Sequence, residues 1–130
     1  MKNKKSNHPT DSELEILQIL WDKGSATVRS VHEVLEKIKD TGYTTTLKTM
    51  QIMAEKDLLA RDTSSRTHVY SPKITREHIQ QQFLRKMING LFEGSAGRLV
   101  MGALDREHLS SGEIREIREY LRQFEQKDRA

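Results

Sequence analysis

Between Thr10 and Pro72 the spacing of the apolar residues changes once, and that change narrows the possible folds more than any single motif does. Up to about residue 56 the apolar residues recur at mostly three- and four-residue steps, the period of short helices that each bury one stripe. Beyond it they fall into two brief runs separated by polar residues, the mark of paired strands.

Thr10-Asp11-Ser12-Glu13 has the form of a capping box, so a helix is predicted over 11–23, with Leu14, Ile16, Leu17, Leu20 and Trp21 as its stripe and Lys23-Gly24 as its stop. Thr27 precedes a second stripe of Val28, Val31, Val34, Leu35 and Ile38, which predicts a helix over 28–39. A third helix opens at Tyr43-Thr44-Thr45-Thr46, where a hydroxyl cap is on offer, and turns Leu47, Met50, Met53 and Ala54 inward. Strands are predicted over 58–62 and 67–71, joined by Thr63 to Arg66 and ended by Pro72. A two-stranded ribbon is unstable alone and must lean on the helices. Three helices and then a hairpin is the order of a winged helix-turn-helix.

After Pro72, Thr75 can cap a helix over 76–91, and Gly90, Gly94 and Gly97 interrupt the helical pattern at its far end. A Ser95 cap predicts a short helix through Leu99 and Leu104. Ser110-Ser111-Gly112-Glu113 again has capping-box form ahead of Ile114, Ile117, Leu121 and Phe124, the stepping of a coiled-coil seam. So small a chain offers these helices little to bury against except a second copy of themselves. The expected division is a disordered basic tail over 1–9, a winged-helix domain over 10–73 and a helical dimerisation region over 74–127. The expected dimer contacts are Phe83, Met87, Leu91, Leu99, Leu104, Ile114, Ile117 and Leu121.

Composition excludes several classes. With 35% hydrophobic residues, 32% charged and no long apolar run, nothing suggests a membrane span, and a cytoplasmic protein is expected. Without cysteine there is no disulfide framework, thiolate zinc site or cysteine nucleophile. The five histidines are scattered without ligand spacing, and neither a phosphate-cradling loop nor a nucleophile elbow is present, so no enzyme, metal or cofactor is implied. The net charge of +3 does not argue for nucleic acid by itself: residues 1–72 hold 11 Lys/Arg against 10 Asp/Glu.

The case for DNA rests instead on where the cations sit. A recognition helix needs one apolar stripe toward its scaffold and a small-polar, cationic stripe toward the major groove. Thr44, Thr45, Lys48 and Thr49 lie off the apolar stripe of the third helix, and Arg66 and His68 sit where a hairpin would meet the backbone. A solvated surface explains each segment taken alone; the order of the elements together favours DNA.

On these residues the chain resembles the BlaI/MecI penicillinase-repressor family of bacterial transcriptional regulators. The resemblance runs over about residues 8–125 and is carried by Thr-x-x-Glu-x-x-Ile-Leu-x-x-Leu-Trp (Thr10 to Trp21), Thr-Val-x-x-Val-x-x-x-Leu (Thr27 to Leu35), Tyr-Thr-Thr-x-Leu-x-x-Met (Tyr43 to Met50), Glu55 to Leu59, and Tyr70-Ser71-Pro72. It implies a winged-helix homodimer that represses transcription from a palindromic double-stranded operator. It also implies release by proteolysis of the dimerisation region on a signal from a membrane sensor metalloprotease. By the same resemblance Thr44, Thr45, Thr46, Lys48 and Thr49 fall in the recognition helix, Thr46 partly inward, with Arg66 and His68 in the wing. Asp57 stands where the family has glycine, a left-handed position. A copper-responsive branch uses C-terminal cysteines, which this chain lacks. The alternatives are a winged helix that binds protein and no DNA, and a ligand-responsive regulator of MarR type.

Overall fold

The structure, a computed structural model, describes residues 8–129. Its elements run α1 (Asp11–Lys23), α2 (Val28–Leu35), α3 (Tyr43–Glu55), β1 (Leu59–Asp62), β2 (Val69–Pro72), α4 (Arg76–Leu91), α5 (Ala96–Arg106) and α6 (Ser111–Arg129). This is a winged helix with further helices after it, as the spacing predicts. The chain gathers into two compact units, one ending at Leu84 and one starting at Arg85.

In the first unit the capping box closes α1: Glu13 N–H donates to Thr10 Oγ1 and Thr10 N–H to Glu13 Oε1. Gly24, at φ 87, ends the helix in a conformation that a side chain would strain. The core is built from Leu17 and Leu20 of α1, Val31 of α2, Met50 and Met53 of α3, Leu58, and Tyr70 of β2, all fully or almost fully buried. Each such side chain contributes roughly 1.5–3 kcal/mol by leaving water. β1 and β2 pair antiparallel, with Arg61 opposite Tyr70, and the ribbon is tied back to the helices by Ala26, which exchanges both backbone hydrogen bonds with Tyr70. That bridge makes the ribbon a three-stranded edge in miniature, which answers its instability alone.

Strand β1 starts one residue later than expected and β2 takes in Pro72, and three further boundaries differ from the sequence reading. α2 stops at Leu35, because the N–H groups of Lys37 and Ile38 tighten into three-residue hydrogen bonds to Val34 O and Leu35 O and Ile38 is 64% exposed, so the stripe extended to it buries nothing. The wing loop spans residues 63–68 and so is longer than expected: Ser64 N–H donates to the Asp62 carboxylate and the Ser65 hydroxyl to Thr67 O before the ladder begins. Only residues 8 and 9 of the expected tail are described. There Pro9 is buried and the His8 ring lies 4.3 Å from that of Phe83, so the packed body starts before Thr10; residues 1–7 lie outside the described residues.

α4 carries its Thr75 cap, and its first turn is fastened within the first unit: the Trp21 indole N–H donates to Ile74 O at 2.8 Å while Arg76 lies over the Trp21 ring and pairs with Asp22. In the second unit α5 is capped by Ser95 and α6 by a reciprocal Ser110–Glu113 pair. Of the three glycines expected to interrupt, only Gly94 does so; it sits at φ 80 after Glu93 at φ 53, and its N–H reaches back to Ile88 O. Gly90 lies inside α4 and Gly97 in the first turn of α5. Leu91, Val100, Met101, Leu104, Ile114, Tyr120, Leu121 and Phe124 are all exposed within this chain. Among the described residues no helix is long and apolar enough to cross a membrane.

Candidate nucleic-acid interface

α3 has one buried and one open side along its length. Thr46, Met50 and Met53 are buried, whereas Thr44, Thr45, Lys48, Gln51 and Ile52 are exposed and Thr49 is half-exposed. Hydroxyls and one ammonium therefore occupy the outer stripe, groups able to contact phosphates and base edges alike. The helix starts on Gly42, and no side chain caps it. The hydroxyl cap expected among Thr44 to Thr46 is not formed, since these threonines lie inside the helix. Its first N–H groups are left open to an anion.

Thr46 is withdrawn from the candidate surface. It is 1% exposed, and its Oγ1 lies 2.9 Å from Nδ1 of the buried His32. Its inward turn, partial in the sequence reading, is complete. Its role is to fix α3 against α2 rather than to meet a ligand. The Thr49 hydroxyl donates to Thr45 O at 2.8 Å, and the residue is half-exposed.

Arg66 and His68 are exposed on the wing and line one groove with Arg29, Tyr43, Leu47 and Gln51. This groove, about 490 Å³, lies between the start of α2, the face of α3 and the wing. Sequence reasoning does not single out Arg29 as a contact. It belongs to α2, and its relation to Tyr43 is set by packing, not by spacing. In the structure the Arg29 guanidinium lies over the Tyr43 ring, 4.6 Å from its centroid. Below the wing tip the Asp62 carboxyl is held under its ordinary range, chiefly by hydrogen bonds from the Ser64 side chain and backbone and to a smaller degree by the charge of His68.

Four cations of the first unit are neutralised: Lys39 by Glu15, Lys56 by Glu13, Lys73 by Asp57 and Arg76 by Asp22. Arg29, Lys48 and Arg66 take part in none of the ion pairs among the described residues. Cationic charge outside any ion pair is thus present on α2, α3 and the wing.

The expected dimer contacts fall into two groups. Leu91, Leu104, Ile114 and Leu121 are exposed, with Met87 at the margin; Leu99 and Ile117 are half-buried, and Phe83 is half-buried beside His8. Apolar side chains in the second unit are left open to water in a single chain.

The chain is similar in sequence to known proteins. The penicillinase repressor of Staphylococcus aureus is 24% identical over 116 residues, 89% of this chain and 92% of that one. The penicillinase repressor of Bacillus licheniformis is 27% identical over 119 residues, 91% and 92% of the two chains. A transcriptional regulator of Mycobacterium tuberculosis, BlaI, is 34% identical over 70 residues, about half of each chain. Residues 9–123 match the penicillinase repressor family, and the chain belongs to that family.

Proposed function

We propose that the protein is a cytoplasmic transcriptional repressor that binds a palindromic operator as a homodimer, with α3 in the major groove and the wing on the sugar-phosphate backbone. The observation that carries this reading is the two-sided character of α3. Its buried side, Thr46, Met50 and Met53, holds it to the core, while its open side, Thr44, Thr45, Lys48 and Thr49, is made of groups that hydrogen-bond to bases and phosphates. Arg66 and His68 extend that surface onto the wing. Two copies related by a twofold axis would place their α3 helices in successive major grooves, roughly one helical turn or slightly more apart. The apolar residues of α5 and α6 that a single chain leaves exposed supply the second-copy contact. Release is proposed to come from cleavage in that same helical region on a signal from a membrane sensor metalloprotease, a route that such a protease encoded next to this chain would support.

The test is a mobility-shift titration on the promoter region of the protein's own operon at two salt concentrations. Lys48→Ala and Arg66→Ala should each weaken binding to all duplexes and lower the salt slope by about one. An unchanged slope removes the phosphate assignment. A wild-type protein that shifts no duplex at either salt concentration is a protein-binding winged helix instead.

A further inference from the structure

We infer that Arg29 is a third anchoring point for DNA, separate from the recognition helix and the wing tip, and that it clamps a backbone phosphate of the strand running through the groove between α2 and the wing. The inference rests on the DNA-binding reading above and adds to it the path of one strand.

The guanidinium of Arg29 is stacked on Tyr43, which uses its flat face and leaves its in-plane N–H donors free. A stacked arginine has already lost much of its side-chain freedom, so less entropy is lost when it takes up a ligand. The Tyr43 ring is itself steadied from the other helix by the buried His32, whose ring meets it edge-on at 5.6 Å and 86°. His32 is in turn fixed by Thr46, so the platform under Arg29 is tied to the same contact that seats α3. Arg29, Arg66 and His68 come from two separate elements and line one groove, with Thr27, Tyr43 and Gln51 completing its walls. Arg29 and Arg66 take part in no ion pair among the described residues. In-plane donors with no carboxylate to satisfy them suit a bidentate anion, and the repeated anion along a duplex is its phosphodiester.

The experiment is fluorescence anisotropy of the full chain on a labelled promoter duplex and on a scrambled duplex, each across a range of salt, for the wild type, Arg29→Ala and Arg29→Lys. Arg29→Ala should lose about tenfold in affinity on both duplexes alike, with the salt slope lowered by about one and the ratio between duplexes kept. Arg29→Lys should keep the slope, since the charge remains, and lose part of the affinity, since the fork is gone. Circular dichroism and the thermal midpoint of Arg29→Ala should match the wild type, because the side chain is exposed. If the wild type binds and Arg29→Ala keeps the wild-type slope, this inference is overturned and the repressor reading stands. If Arg29→Ala changes the ratio between the duplexes, Arg29 reads a base and the phosphate assignment is wrong. Should the wild type bind neither duplex, both readings fail together.

Discussion

Asp57 sits at φ 65, where the Cβ of an ordinary residue crowds its own carbonyl, and a short side chain with a polar end is the type that bears this best. Replacing Asp57 by Ala should lower stability by about 1 kcal/mol, while Asp57→Gly should cost nothing, and thermal denaturation of the two variants tells them apart. Its pair with Lys73 is exposed on both sides and adds little. Asp62 supports a second check. Its folded carboxyl is held below the ordinary range, so the charged form that accepts from Ser64 persists through mildly acidic solution. Its contribution is present above the unfolded value and is lost only as pH falls through the lower folded one. The Ser64 amide shift monitored by NMR should therefore titrate with a midpoint under that of a free aspartate; a midpoint at or above it would mean that the turn is not held this way. The left-handed turn at Asp57 was visible in the sequence only through the family resemblance. Glu93, at φ 53, had no such signal, because nothing in its residue type distinguishes it from a helical glutamate.

At the level of elements, the caps at Thr10, Thr27, Thr75, Ser95 and Ser110 were legible because an N-cap acts on the residue three positions on, a distance that sequence fixes. The same residue type misled at the start of α3. There the threonines come after the cap, and their roles are assigned by the groups across from them. Thr46 finds His32 fourteen residues away, and only packing brings the two within 2.9 Å. Thr46→Val keeps the shape and removes the hydroxyl, leaving a buried imidazole nitrogen without its partner. A loss of about 1–3 kcal/mol is expected, read as a lower midpoint in denaturant at unchanged slope. If stability is unchanged, the contact is not what holds α3 to α2. The outer stripe of α3 was readable from its apolar complement, whereas the groove beside it was not. A groove is a property of three elements at once, and Arg29 joins it from a helix whose sequence offers only a surface arginine.

For the whole molecule, the second unit poses the question that the first has answered for itself. Its helices are well capped, yet most of its large apolar side chains are exposed, and none of its described residues is buried. Amphipathic spacing made this exposure legible, since the stripe of Ile114, Ile117, Leu121 and Phe124 can be read from the sequence alone. On the homodimer proposed above, Ile117→Asp or Leu121→Asp should give monomers in sedimentation experiments, with operator binding weakened at least about tenfold because one half-site would then hold alone. A dimer that survives both changes would place the seam elsewhere. The pairing of charges in the first unit has a kinetic side as well. Residues 1–72 are close to electroneutral, and among the described residues Arg29, Lys48 and Arg66 take part in no ion pair, as is also true of Lys23, Lys37 and Arg61. In the proposed repressor, charge of this kind on a nearly neutral body would draw in a polyanion without the strong all-over attraction of a highly basic protein. Added salt should therefore slow arrival as well as weaken holding.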